Sequence, residues 1–293
     1  MVNVIANGNI VLEFGLVVLI LIIAPILGGL VTGIDRIITA RMQGRKGPPL
    51  LQPFYDFLKL MGKERIALNQ TQGAYILGYL FFAISGFVML ILGMDLLMLV
   101  FVLAFSAVSF ILGAMSLRSP FSKIGAQREL IQLLAYEPVL IIMAFGVYNV
   151  TKSFQISDIY SFDKPLIIYL PLVFFAFLYV LTIKLRKSPF DFSTSHHGHQ
   201  ELIKGITTEF SGPQLALIEL THWYETVLLL GLISLFCVKP FWVGILLAIG
   251  AYFLEIVIDN ISARMTWRWM LKATAILGVG VATINLIWLY VAK

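Results

Sequence analysis

The chain has 293 residues, 59% of them hydrophobic and only 13% charged, and a mean hydropathy of +0.92, whereas a soluble globular domain is about 45–50% apolar and about 25% charged. These proportions exclude a soluble globular domain and point to a polytopic membrane protein. A net charge of +5 would suggest nucleic acid as the partner of a soluble protein; here it reports on loop sidedness instead, and the single cysteine, Cys237, excludes an internal disulfide and any four-cysteine iron–sulfur site within the chain.

A bilayer core of about 30 Å needs about 20 apolar residues per helix. Runs of that length lie near 10–32, 73–93, 95–117, 130–150, 165–185, 214–237, 240–259 and 270–291, predicting an all-α membrane protein with about eight transmembrane helices. The runs are continuously apolar, not alternating over short segments, which excludes a transmembrane barrel. The first run has no basic residue before it and is of membrane length, so it is read as a retained span and not as a cleaved signal peptide.

After that run, Pro48, Pro49 and Pro53 interrupt any regular helix. Phe54, Phe57, Leu58, Leu60 and Met61 then recur at helical spacing with Asp56, Lys59 and Lys63 between them, predicting a short amphipathic helix at the membrane surface. The loops around 36–65, 118–128, 184–204 and 264–272 hold 17 of the 21 Lys and Arg residues. The positive-inside rule therefore places these long loops in the cytoplasm and both termini outside. No internal repeat or linker divides the chain, so residues 1–293 are read as a single integral membrane domain.

A charged side chain at the centre of a spanning helix costs roughly 2.5–3.5 kcal/mol on insertion scales, which makes intramembrane acids functional candidates. Glu137 lies early in the fourth run, Glu219 and Glu225 in the sixth, and Glu255 with Asp259 in the seventh. Glu219, His222 and Glu225 follow one another at a spacing of three, on neighbouring positions of one helical surface, where two acids flanking an imidazole can share or pass a proton. The same acids could instead hold helices together through Arg118, Arg128, Lys184 or Arg264. Glu13 and Asp95 are read as solvated at the outer face. His196, His197 and His199 superficially suggest metal ligands, but no cysteine accompanies them and Gly198 loosens the cluster, so no metal site is assigned. Gly47, Gly205 and Gly212 follow no strand and form no phosphate-binding fingerprint.

Four segments carry a family resemblance. RMQGRKGPPLLQPFYDFLKL, beginning at Arg41, closely resembles the first cytoplasmic loop of the membrane subunit shared by respiratory NADH:quinone oxidoreductase and the energy-converting membrane-bound [NiFe] hydrogenases. RSPFSKIGAQRELIQLLAYEP, from Arg118 to Pro138, is similar to the same family's Tyr-Glu-Pro stretch leading into the fourth helix. The segment from Arg186 to Gly212 resembles its Pro-Phe-Asp and Thr-Glu-Tyr-Ser-Gly loop, with Phe210 in place of the tyrosine, and ARMTWRWMLKATAILG from Ala263 resembles its arginine-rich approach to the last helix.

Within the family, three features resemble the small, Ech-type hydrogenase branch. The first loop lacks the stretch that respiratory subunits carry between Arg-x-Gly-Pro and Leu-Gln-Pro; His199-Gln200-Glu201-Leu202 takes the hydrogenase form; and His222 stands where respiratory subunits carry a glutamate.

The resemblance implies a redox-inert membrane subunit of a ferredoxin-dependent, hydrogen-evolving complex that couples electron transfer to proton or sodium translocation. It implies a proton path through Asp191, Glu201, Glu209, Glu137, Glu219, His222 and Glu225. Partner docking would involve Arg41, Gln43, Arg45, Lys46, Pro53, Asp56, Lys59, Arg118, Arg128, His199 and Arg264. The implied partners are the hydrogenase large and small subunits, a ferredoxin-like iron–sulfur subunit, an antiporter-like membrane subunit and the lipid bilayer, with no nucleic acid. No cofactor is expected in this chain, the [NiFe] centre and [4Fe-4S] clusters belonging to partners, in the plasma or inner membrane of a bacterium or archaeon. A quinone-site subunit of an NADH-type dehydrogenase, a sulfur-reducing relative and a stand-alone secondary transporter are the alternatives.

Overall fold

The computed structural model describes residues 10–65, 69, 71–193 and 204–291. In chain order the helices are α1 (Ile10–Met42), α2 (Gln52–Met61), α3 (Gln72–Ile91), α4 (Leu96–Met115), α5 (Pro120–Thr151), α6 (Ile156–Ser161), α7 (Leu166–Tyr169), α8 (Pro171–Lys184), α9 (Gly212–Ser234), α10 (Phe241–Ile261), α11 (Trp267–Ala273) and α12 (Val281–Val291). A π-helical stretch, Thr274–Gly280, joins the last two. Seven of the resulting segments are long and apolar enough to cross a membrane, and no β-strand occurs among the described residues. The chain is an all-α, multi-pass membrane protein.

The remaining apolar run, 165–185, is broken. Pro171 has no amide hydrogen to continue a helix, and Leu170 leaves the helical region at φ −121°, ψ 46°. Backbone groups freed inside a membrane protein need partners. Asn285 of α12, wholly buried, supplies them: its Oδ1 accepts from the amides of Leu172 (2.9 Å) and Val173 (3.2 Å), and its Nδ2 donates to the Tyr169 carbonyl (3.0 Å). Each polar group left unsatisfied costs about 1–3 kcal/mol. Asn285→Leu is therefore expected to lower the thermal midpoint in detergent markedly, and Asn285→Asp, which keeps the acceptor, by less.

Two helices run further than their apolar stretches. Arg36 and Arg41 lie on α1, and Lys123 and Arg128 on α5, so these charges expected in loops sit on helical extensions. α1 ends only where Gly44 takes a positive φ of 70°, with the Gly44 amide bonding the Arg41 carbonyl and the Arg45 amide the Ala40 carbonyl. A side chain would oppose that left-handed cap. Asp95, expected to be merely solvated, caps α4 instead: its Oδ1 accepts from the Met98 amide at 2.9 Å.

The predicted amphipathic helix forms as α2 and docks on α9. Phe54 and Phe57 pack against Trp223 at centroid separations of 5.2 and 5.7 Å, while Tyr55, Leu58 and Met61 stay exposed. Arg36 clamps α2 to α1 through Asp56 at 2.7 Å. Burial opposes ionisation of Asp56, yet hydrogen bonds from Arg36 and Gln52 hold its carboxyl below the usual range. An acid depressed on folding adds stability above its unfolded value, about 3.9, and loses it as pH falls through the lower folded value. Both partners are about two-fifths exposed, so the pair contributes under about 1 kcal/mol. Acidification below about pH 4 should loosen α2 in the parent, seen as a change in tryptophan fluorescence that Asp56→Asn already shows at neutral pH.

Candidate functional site

The short connection after α8, residues 185–193, organises the polar interior. α8 ends at Lys184, and Arg186 adopts a positive φ of 53°, which sends consecutive cationic side chains in different directions. Arg186 enters the space between α3, α5 and α9, whereas Lys187 reaches α1 and α10. Further along, the Ser188 amide donates to Asp259 (2.8 Å), the Met265 amide to the Pro189 carbonyl (3.2 Å), and Gln132 to the Phe190 carbonyl. The Ile206 amide bonds the Ser193 carbonyl at 2.9 Å. The connection is thereby fixed to α5, α10 and the segment before α9.

Arg186 anchors the larger polar cluster. Its Nε and Nη2 donate to Glu129 Oε1 of α5 at 3.0 and 2.8 Å, with the two side chains 12% and 6% exposed. Its Nη1 lies 2.9 and 3.0 Å from the two ring nitrogens of His222. Arginine can only donate, so the imidazole accepts from it. His222 Nδ1 is 3.5 Å from Glu225 Oε2, and the hydroxyl of Tyr79 from α3 sits between them, 2.9 Å from His222 and donating to Glu225 at 2.8 Å. The result is a continuous polar string, Glu129–Arg186–His222–Glu225, closed by Tyr79. Phe110 packs the guanidinium at 5.1 Å and stacks on Tyr79 at 4.9 Å, walling the string on one side. Lys184, also buried, reaches the Tyr136 hydroxyl at 3.3 Å on the α5 side.

Of the proton-path residues, His222 and Glu225 are part of this string. Glu137 lies on α5 beyond Tyr136, with both oxygens enclosed and no hydrogen-bond partner. Glu219 and Glu209 are half-buried and outside the string. Asp191 is held by Arg264, its carboxyl pushed up by burial against the pull of that guanidinium. Glu201 lies outside the described residues, as do His196, His197 and His199.

Among the docking residues, Arg41, Arg45, Lys46, Lys59 and Arg118 present exposed side chains. Others serve the chain itself: Pro53 is buried at the start of α2, Gln43 bonds Asn260 (3.3 Å) and Arg45 (3.0 Å), Arg128 reaches the Phe192 carbonyl at 3.5 Å, and Arg264 pairs with Asp191. Phe210 is buried against Phe110, with its ring tip beside Gly113.

In the sequence Arg186 and Lys187 read only as topological charges, and nothing there singles out Glu129, Tyr79 or Asp35. No local pattern marks these contacts, because their partners come from elements far apart in the sequence.

The model of the NADH dehydrogenase family matches residues 14–290. The chain is 29% identical over 214 residues to an NADH-quinone oxidoreductase subunit of Dehalococcoides mccartyi (strain CBDB1), covering 66% of this chain and 60% of the relative. It is 31% identical over 220 residues to hydrogenase-4 component C of Escherichia coli K12, covering 68% and 66%. The chain thus spans under two thirds of the length of these curated relatives. Among solved structures, a chain of the membrane-bound sulfane sulfur reductase, an archaeal respiratory membrane complex, superposes with a TM-score of 0.86 at 26% identity, covering 94% of this chain and 99% of that one.

Proposed function

We propose, from the premise that this chain belongs to the NADH dehydrogenase family, that it is the redox-inert membrane subunit of a respiratory complex, on which an electron-transferring arm docks. The observation that carries this reading is the buried Glu129–Arg186–His222–Glu225 string, whose central arginine belongs to the same nine-residue connection as Asp191, which pairs with Arg264 from the segment between α10 and α11. Charge changes at a docked arm would be felt first by that connection and passed to groups able to hold or release a proton. One bistable element must link the two sites for such coupling, and the 185–193 segment is the natural candidate.

Within the family we assign the chain to the hydrogenase branch, on the short passage from Gly47 to Gln52 and on His222. In this reading reduced ferredoxin delivers electrons through [4Fe-4S] clusters of an iron–sulfur subunit and the small subunit to a [NiFe] centre in the large subunit, and protons are reduced there. An antiporter-like neighbour carries the translocated proton or sodium ion. Arg41, Arg45, Lys46, Lys59 and Arg118 form the docking face, in the cytoplasm, with both termini outside. With one cysteine the chain cannot itself hold a four-cysteine cluster.

A second reading, sulfane sulfur reduction by the docked arm, is favoured by the overlap with the sulfur reductase chain. Purification of the native complex through a tag on this chain separates the readings. Nickel with ferredoxin-driven hydrogen evolution supports the hydrogenase assignment; sulfide production without nickel supports the second reading. Flavin with quinone reduction would overturn both.

A further inference from the structure

The last part of the chain is unbalanced in charge. No Asp or Glu follows Asp259, whereas Arg264, Arg268 and Lys272 come in quick succession. Arg264 is taken up by Asp191. Arg268 and Lys272 are exposed and pair with no carboxylate among the described residues. The Arg268 guanidinium lies instead 5.3 Å from the Trp267 ring centroid, held against an aromatic face.

The position of these two cations gives the imbalance a meaning. The last membrane-spanning segment, Trp267–Val291, begins with α11, so both lie in its first two turns, at the depth where lipid headgroups meet hydrocarbon. Trp269, Lys272 and Ile276 follow at spacings of three and four and share one face, with Arg268 one turn before Lys272. Met270, Ala273 and Thr274 are buried on the other side, and Gly278 brings the segment against Val139 of α5. The cation-bearing face is left uncovered by the chain itself: Trp269 is 46% and Ile276 67% exposed. We infer that this face of the last span binds a phospholipid with an anionic headgroup.

Arg268 and Lys272, one turn apart, bracket the phosphate. Trp269 lies beside the interfacial part of the lipid, and Ile276, a turn deeper, meets the start of an acyl chain. Two cations with no acid beside them favour a headgroup of net negative charge over a zwitterionic one, whose ammonium they repel. The exposed apolar side chains below the cations select a ligand that is anionic at one end and apolar at the other, which neither free phosphate nor a soluble acidic segment provides. The site is separate from the string at His222 and does not depend on which electron acceptor the docked arm reduces.

The test is native mass spectrometry of the intact complex in mild detergent, titrated with phosphatidylglycerol or with phosphatidylcholine. The parent should retain one more phosphatidylglycerol than a variant carrying both Arg268→Gln and Lys272→Gln. At that site affinity should fall roughly fivefold for each cation removed and about 30-fold for both, while phosphatidylcholine binds parent and variant alike. Equal retention of phosphatidylglycerol by parent and variant would overturn the site. Should the double variant fail to assemble, a photoreactive amino acid in place of Trp269 still identifies the occupant, with the complex in vesicles holding the two lipids in equal amounts. Adducts mainly with phosphatidylglycerol are expected. Adducts with a protein subunit, or with both lipids equally, would overturn the assignment.

Discussion

Arg186→Leu is expected to destabilise the chain by about 3–5 kcal/mol, the cost of removing one partner of a buried ion pair. Glu129, 6% exposed and bonded twice through one oxygen to that guanidinium, would be left as a bare carboxylate among apolar helices, and His222 would lose its donor. The loss belongs mainly to the abandoned partner, so Glu129→Gln should recover part of it when combined with Arg186→Leu. A double-mutant cycle on the thermal midpoint of the purified complex measures this directly. Additive effects would mean that the pair is not coupled and the string is not a unit.

The second large effect concerns ion movement. Glu225→Gln keeps the shape of the side chain and the acceptor for Tyr79 while removing the ability to exchange a proton. Removing a positioned proton-transferring group typically costs on the order of 10²–10⁴-fold. In proteoliposomes, ion translocation per electron should fall toward zero while electron transfer to an artificial acceptor persists. Glu137→Gln should behave likewise, because its two oxygens are enclosed with nothing to bond. Glu219→Gln should have a smaller effect, since Glu219 is half-buried and outside the string. If translocation and electron transfer keep their parental ratio in Glu225→Gln, the string only holds helices together.

Much of the architecture was legible in advance because lipid leaves few options. Continuous apolar length marks helices, and all eight runs correspond to helical segments of the structure. The break at Leu170 was not legible: the run is apolar throughout, and its repair depends on Asn285, more than a hundred residues away. Helix ends are less legible: Arg36 and Lys123 read as loop charges, yet α1 continues to Met42 and α5 begins at Pro120. At the site, the His222–Glu225 spacing was readable from helical periodicity. The Arg186–Glu129 contact was not, because its partners come from separate elements and no local pattern links them. Lys187 and Asp35 were hidden for the same reason, their separation in sequence being 152 residues.

The central claim is that this chain is a docking subunit with an ion path and no redox chemistry of its own, and isolation from native membranes with cross-linking through the exposed Arg41–Lys46 and Lys59 region tests it most directly. Cross-links to a cluster-bearing soluble subunit, with co-purification of an antiporter-like membrane subunit, are the expected result. A chain that purifies alone and transports an ion or solute on its own would contradict it.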